Sequence, residues 1–372
     1  MHLPTTREVL LKQISKVLGV VGRGTDLFDK PVLGNVLIRL EHNGRMLVTG
    51  TGTQLEITAE SEVPDGSTLG SATLPARKLT DILRSLPEGS AITLTVDKDR
   101  ATLKTHSSRY ILATLPPAEF PLIETPPRSD RTLTIEAKIL ATLMRRCAHA
   151  MANQDVRAFL NTMLIELKQG RFHCVASDGH RLSIASVPVS TNGQNERILI
   201  SRKAAQELLD IVESSDGAIT LEIADRFLRV VTNGLTFLTQ LIGDQFPDYA
   251  AVVPLDLGSE IIVRRQLLID AVERADILAD SQHHAVALEI TRNTIKVQGQ
   301  NKEKEDAQDA IDATTTIDDM RVGVNAGYLL DALRVVPTED VRLWLRGNAQ
   351  SVLLTPTADV ENLTQVIMPV RL

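Results

Sequence analysis

The sequence predicts an α+β fold of three similar domains, each with two helices packed on antiparallel sheet. Three observations predict it. A helix-like stretch occurs at residues 76–86, 201–212 and 325–336. Its acids, Asp81, Glu207 and Asp331, stand 126 and 124 residues apart. Around each copy the same order of helical and strand-like patterns returns. A period near one third of 372 residues belongs to a repeated domain rather than to a short-repeat solenoid.

The helices rest on apolar stripes. Leu83, Leu209 and Leu333 follow the repeated acid by two positions, and Leu86, Val212 and Val336 by five, which sets them on one helical face. An earlier helix is read over residues 7–18, with Thr6 as its N-cap. Its counterparts begin near Ala137 and Arg265. Ile14, Met144 and Val272 are equivalent at spacings of 130 and 128.

The strands follow from turns and alternation. Residues 33–38 lead through Asn43-Gly44-Arg45 into 46–49, and Asn-Gly between apolar runs signals a hairpin. The second copy runs 160–165, then Gln169-Gly170-Arg171, then 172–176. The third runs 285–297 and turns at Arg292-Asn293. After the second helix, Ala91-Ile92-Thr93-Leu94 recurs verbatim as Ala218-Ile219-Thr220-Leu221, and Val341-Arg342-Leu343-Trp344 takes their place in the third copy. Alternation of period two marks a half-buried strand. Phe120-Pro121 and Phe246-Pro247 mark where copies end, since proline does not suit a central strand. Domains are therefore expected at 1–121, 130–247 and 258–372, with 116–131 and 246–257 as linkers.

Hydrophobic content of 43% and charged content of 23% describe an ordinary soluble globular chain. The net charge of −7 excludes a generally basic nucleic-acid coat. The six main helix candidates nevertheless sum to +7, which leaves −14 on everything else. Cys147 and Cys174 have neither disulfide-framework nor metal spacing and are expected as buried thiols. The N-terminus has no signal-peptide pattern, and no apolar run reaches about 18 residues, so no membrane span is expected and the cytoplasm is. Walker and Rossmann fingerprints are absent, and no cofactor is expected. His283-His284 lacks metal-ligand spacing and reads as an exposed loop, so no metal is expected either. The acidic run at 302–309 reads as a solvated loop or edge.

Ser177-Asp178-Gly179-His180-Arg181-Leu182 is open to two readings from its residues alone. An Asp close to a His invites a hydrolase. No Gly-x-Ser-x-Gly elbow accompanies it, and a tight structural turn is the other reading.

That stretch, with Pro75-Ala76-Arg77-Lys78, Asn153-Gln154-Asp155-Val156-Arg157, Phe246-Pro247-Asp248-Tyr249 and the terminal Met368-Pro369-Val370-Arg371-Leu372, closely resembles the bacterial DNA polymerase III beta subunit, the sliding-clamp family. The resemblance is collinear from about Arg7 to Leu372. It implies three DNA-clamp domains per chain and a homodimer closed head to tail into a ring around duplex DNA. It further implies a processivity factor with no active site of its own. The implied partners are duplex DNA bound without sequence preference, the DNA polymerase III alpha subunit, the clamp-loader complex, and other polymerases and repair proteins that carry clamp-binding peptides. Comparatively basic helices on an acidic chain suit a hole that attracts phosphates. Such contacts carry no sequence information, as a sliding tether requires.

Position by position, the resemblance implies a partner-peptide groove. Its residues are Leu160, Ser177, Gly179, His180, Arg181, Leu182, Pro247, Val252, Ser351, Val366, Met368, Pro369, Val370, Arg371 and Leu372. An apolar slot with a few polar orienters suits a short peptide. Where many relatives carry an arginine after Tyr249, this chain has Ala250-Ala251, and Ser177 stands where threonine is usual. The implied DNA contacts are Arg23, Arg77, Lys78, Gln154, Arg202 and Lys203. Arg77-Lys78 and Arg202-Lys203 sit near helix starts, where the helix dipole does not favour cations, so a use outside the helix is attractive. The implied dimer contact sets Arg109-Tyr110-Ile111-Leu112 against Ile277-Leu278 and the strand after it. The loop at 22–30 and the turn at 49–55 are longer than is usual in the family. Together with the missing groove arginine, they motivate an alternative: a clamp-like paralogue acting as a protein scaffold without productive DNA encirclement.

Overall fold

The computed structural model describes the chain except residues 23, 25, 125–128, 130, 190–194, 233, 255, 316, 318, 348–349 and 359–361, and except the side chains of 26 and 27. Its helices are α1 (Arg7–Val17), α2 (Asp26–Asp29), α3 (Ala76–Ser85), α4 (Ala137–Ala148), α5 (Arg202–Glu213), α6 (Arg265–Asp276) and α7 (Ala326–Arg334). Leaving α2 and the single 3-10 turns aside, each copy of the repeat reads strand, helix, four strands, helix, three strands. Thr6 caps α1 as its sequence position predicts, its hydroxyl accepting the Val9 amide hydrogen at 3.4 Å. Leu10, Ile14 and Val17 of α1 are fully buried, as are Leu79 and Leu83 of α3 and Leu329 and Leu333 of α7. Each such leucine stabilises the fold by about 1.5–3 kcal/mol. In the second copy Leu208 is fully buried and its neighbour Leu209 only half-buried, so the stripe there is rotated by one residue.

The strand expectations need two corrections. The leading strands His2–Thr6, Thr132–Glu136 and Ser259–Arg264 are additional to those the sequence patterns indicate. Their alternation is short, though Leu133 and Ile135, or Ile261 and Val263, are buried alternate positions that carry a faint signal. The hairpin strands also begin later than expected, at Asn35 and Thr162, because 3-10 turns at Pro31–Gly34 and Ala158–Asn161 precede them.

The chain divides into two compact units. One holds Met1–Ala137 and Asp210–Leu241, the other Lys138–Leu209 and Ile242–Leu372. The first unit contains an eight-stranded antiparallel sheet. Its order is Gly70–Pro75, Asn35–Leu40, Arg45–Thr51, Leu55–Glu62, Leu235–Gln240, Phe227–Thr232, Ala218–Ala224, Thr132–Glu136. A four-stranded sheet accompanies it, in the order His2–Thr6, Ala91–Asp97, Arg100–Lys104, Arg109–Ala113.

The second unit is built on a twelve-stranded sheet. It runs Glu196–Ser201, Thr162–Lys168, Arg171–Ser177, Arg181–Pro188, Asn362–Ile367, Val352–Pro356, Asp340–Leu345, Ser259–Arg264, Asp306–Thr315, Thr294–Gln300, Ala285–Thr291, Met320–Asn325. Helix α6 packs on α7 and across the strands Thr294–Gln300 and Asp306–Thr315. Gly299 allows that approach, since a Cβ there would lie 2.0 Å from the Ala275 carbonyl oxygen.

In every copy the departing chain covers an edge strand. Leu115 N donates to Thr73 Oγ1 at 3.1 Å, Ile242 N to Leu199 O at 2.9 Å, and Val370 N to Gly323 O at 2.9 Å. In the second and third copies the acceptor is a backbone carbonyl of the edge, which would otherwise template pairing with another chain. The expected linker at 246–257 is therefore no loose tether. Phe246 is buried in a core cluster with Leu164, Leu182, Leu199 and Val366, and Tyr249, Val253 and Leu257 pack against it. In the acidic run, residues 302–305 are exposed, and Asp306 opens a strand. Over residues 306–312 that strand pairs with Thr294–Gln300 alone among the described residues.

Candidate functional site

The turn of Ser177–Leu182 joins the strands Arg171–Ser177 and Arg181–Pro188, whose register sets Ser177 opposite Leu182. Its side chains are turned inward on its own backbone. Ser177 Oγ donates to Arg181 O at 2.7 Å and accepts Gly179 N at 3.1 Å. Asp178 Oδ1 accepts the amides of His180 and Arg181 at 2.9 and 3.0 Å. Gly179 has φ +88°, a left-handed conformation, and a Cβ there would lie 3.0 Å from the Arg157 guanidinium. Asp178 is thus held by backbone amides and by Arg181 Nε at 2.9 Å, rather than by a histidine ring that it would orient for catalysis. The geometry is that of a turn.

Arg181 ties this turn to its surroundings. Besides Asp178, it donates to Asp331 Oδ2 at 2.7 Å and to His149 O at 2.5 Å, and its Cζ lies 4.4 Å from the Tyr328 ring centroid. Asp331 and Tyr328 stand on α7, and His149 follows α4. Burial holds the His149 imidazole down at about 4, with the Arg181 charge adding to the effect.

Beside the turn opens a cavity of about 200 Å³. Leu182, Leu160 and Val366 line it from the sheet side, and Phe246, Pro247, Tyr249 and Val252 from the segment after the second copy. Phe159 meets Phe246 edge to face at 6.3 Å. The polar groups around the cavity are engaged with each other. Arg157 forks onto Asp155 at 3.0 and 3.1 Å, and that hydrogen-bonded pairing holds the Asp155 carboxyl down at about 2. Tyr249 donates its hydroxyl to Glu166 Oε2 at 2.6 Å. Burial, then that bond, pushes the phenol above its ordinary range. Arg197 donates to the Phe246 carbonyl at 2.7 Å and holds the covering segment down. What remains is an apolar slot suited to aliphatic or aromatic side chains.

Of the expected groove residues, Leu160, Ser177, Gly179, Arg181, Leu182, Pro247, Val252, Val366 and Met368 line this cavity. His180, Ser351, Pro369, Val370, Arg371 and Leu372 do not. His180 carries the carbonyl that accepts Met368 N at 2.8 Å, while Val370 and Leu372 lie against Gly323. Arg157, Phe159, Phe246 and Tyr249 also line the cavity, beyond the residues that the resemblance implies. Arg157, Phe246 and Tyr249 lie inside the motifs that carry the resemblance, and that position is the signal the sequence holds for them.

The other expected sites are spread over the chain. Arg77 and Lys78 are exposed in the first turn of α3, and Lys203 is exposed at the start of α5. Gln154 is exposed in a turn with φ 61°. Arg202 is half-buried, its guanidinium donating to the carbonyls of Met151 and Ala152, so these donors serve the fold. Arg23 lies outside the described residues. Residues 109–112 belong to the strand Arg109–Ala113, last in its sheet. Ile277 is 77% exposed after α6, and Leu278 is half-buried. The strand after them, Ala285–Thr291, is paired on both sides and has no edge to offer. Cys147 and Cys174 are buried free thiols, and burial pushes Cys147 up to about 12. His283 and His284 are exposed, and His284 Nδ1 lies 2.9 Å from Asp276 Oδ1. Among the described residues no group of three or more His, Cys, Asp or Glu could hold a metal ion, and no helix is long and apolar enough to cross a membrane.

Three like sets of two helices on antiparallel strands, with an apolar slot beside the turn of the second, define a clamp fold. Comparison with known proteins agrees along the whole chain. Residues 1–124, 134–248 and 250–371 match the N-terminal, central and C-terminal domains of the DNA polymerase III beta subunit. A curated beta sliding clamp of Pseudomonas aeruginosa is 35% identical over 373 residues, covering all of both chains. The crystal structure of the DNA polymerase III subunit beta from that organism has a TM-score of 0.93 and 34% identity, again over all of both chains. A sliding clamp from the same organism, bound to griselimycin, has a TM-score of 0.92 at 34% identity and full coverage of both chains. The chain belongs to the DNA polymerase III beta subunit family.

Proposed function

We propose that this protein is a DNA polymerase processivity factor that works without catalysis. Two copies close head to tail around duplex DNA, and partner proteins dock a short peptide in the cavity beside Leu182. The observation that carries this reading is the cavity itself. It is apolar, about 200 Å³, and the charges at its rim are paired within the chain. A slot of that kind rewards insertion of apolar side chains rather than chemistry on a substrate. Griselimycin, bound to the Pseudomonas aeruginosa clamp, is the ligand expected to fill it here. The replicative polymerase, the clamp loader and repair proteins with clamp-binding peptides are the expected partners. The same reading puts the protein in the cytoplasm.

For closure, we pair the strand Arg109–Ala113 of one copy with the strand Asp306–Thr315 of the other. Arg109 and Ile111 are exposed on the first, and Asp306 and Asp312 on the second. Opposite charges and two strand edges favour continuous antiparallel sheet across the subunits. DNA contacts are assigned to Arg77, Lys78, Gln154 and Lys203, which are exposed. The expected groove residues outside the cavity, His180 and 369–372 among them, would meet the ends of the peptide.

Retention on circular against linearised DNA after loading by a matched loader tests the reading. Retention on circles with loss from linear ends supports the sliding ring. Equal loss from both overturns it and leaves a scaffold that binds partners only.

A further inference from the structure

The repeat gives the groove a counterpart in the other compact unit. Thr51, Thr53, Gln54 and Glu56 stand 126 residues before Ser177, Gly179, His180 and Leu182. The local geometry repeats with them. Thr51 Oγ1 accepts Thr53 N at 3.3 Å, as Ser177 Oγ accepts Gly179 N at 3.1 Å. Thr53 has φ 71° and Gly179 has φ 88°. Gln54 O accepts Gln240 N at 2.8 Å, as His180 O accepts Met368 N at 2.8 Å. Leu238 lies opposite Glu56 in the sheet, as Val366 lies opposite Leu182. Leu33 and Phe120 are buried where Leu160 and Phe246 are buried.

The two copies differ in what crosses them. After Phe246-Pro247 the chain turns aside, with Asp248 capping the turn Tyr249–Val252 and Tyr249 reaching Glu166. After Phe120-Pro121 it stays. Thr51 Oγ1 donates to Pro121 O at 3.3 Å, and Ile123 N donates to Glu56 Oε2 at 2.9 Å. A carboxylate therefore stands where the groove has Leu182, and the chain's own backbone supplies its donor. A hydrogen bond to a charged acceptor is stronger than one between neutral groups. With its carboxylate engaged, Glu56 tolerates a burial that raises its pKa.

We infer that this junction is a second copy of the peptide groove, held shut in cis by residues 121–123 with the Glu56 carboxylate as its latch. The inference rests on reading the open cavity as a peptide groove. Its consequence is one docking position per chain from an architecture that occurs twice.

The test is Glu56→Leu in the full chain, which removes the latch and restores the apolar base. Hydrogen exchange of the Ile123 amide is expected to speed up by about tenfold or more, as loss of a charge-assisted bond implies. Griselimycin stoichiometry by calorimetry is expected to rise from one to two per chain. A fast Ile123 amide with stoichiometry still at one overturns the inference, as does an amide that stays protected. Should the leucine variant fail to fold, Glu56→Gln keeps the side-chain shape, and unchanged exchange in that variant also overturns the latch. If the unaltered chain takes no griselimycin while its Ile123 amide is protected, the groove reading fails and the cis contact stands.

Discussion

Arg181 Nη1 donates to Asp331 Oδ2 across 2.7 Å, joining the turn of the second copy to the last long helix of the third. The same guanidinium holds Asp178 and the His149 carbonyl and lies against Tyr328. It also lines the cavity. Arg181→Ala is expected to lower stability by about 3 kcal/mol, since it strands a largely buried carboxylate and carbonyl. Asp331→Asn is expected to cost less, because that carboxylate is 38% exposed and partly screened. Urea denaturation of both variants measures this, and equal losses would contradict the assignment of Arg181 as the hub.

The cavity wall can be tested without disturbing the core. Val252 is 41% exposed at its rim. Val252→Asp is expected to change stability by no more than about 0.5 kcal/mol. Griselimycin affinity is expected to fall at least about tenfold, because a carboxylate would have to be desolvated against an apolar ligand. Titration calorimetry reads this, and unchanged affinity would move the ligand elsewhere.

Beside the proposed strand pairing, the dimer contact that the resemblance implies includes one exposed apolar side chain in a strand at the end of its sheet and another just after α6. Ile111 is 50% exposed and Ile277 is 77% exposed. The paired change Ile111→Asp with Ile277→Asp is expected to weaken the dimer at least about tenfold, given about 1.5–3 kcal/mol per buried aliphatic side chain. Light scattering across a dilution series reports the mass. A dimer of unchanged strength would require a different interface.

The proposed reading divides the basic residues by role. Arg77→Ala with Lys78→Ala is expected to lower the slope of log K against log salt by about 2, at about 0.9 for each phosphate no longer neutralised, with little effect on stability. Arg202→Ala is expected to destabilise the fold by about 1–3 kcal/mol, since two backbone carbonyls lose their donor. DNA-binding isotherms at several salt concentrations, together with thermal melts, separate the two effects.

His149 makes stability depend on pH. Its imidazole is held down at about 4 in the folded chain, mainly by burial, and titrates near 6.5 in the unfolded one. Between these values the unfolded state binds the extra proton, so this contribution is present above pH about 6.5 and is lost as pH falls towards about 4. The expected loss is about 3 kcal/mol, at about 1.4 kcal/mol per pH unit. Denaturation midpoints of the unaltered chain and His149→Gln, compared across that window, should converge as pH falls. A constant gap would contradict the reading.

The amino-acid sequence by itself determined the repeat, its helices and most of its hairpins. These depend on short-range periodicity, on capping at Thr6 and on turn chemistry such as Asn43-Gly44, all written in neighbouring residues. It also carried the motif residues of the cavity, from Arg157 to Met368. Only the tertiary structure decided which of them meet. Nothing near Asp331 announces that it accepts the guanidinium of Arg181, because the partners are 150 residues apart. Likewise Arg202 and Lys203 are alike as sequence, and folding turns the first onto the Met151 carbonyl. Pro121 and Pro247 follow the same phenylalanine in the repeat, but Glu56, in the place of Leu182, gives one departing chain a partner that a leucine cannot offer the other. Hydrogen bonds and burial between distant segments decide such roles, and local sequence does not encode them.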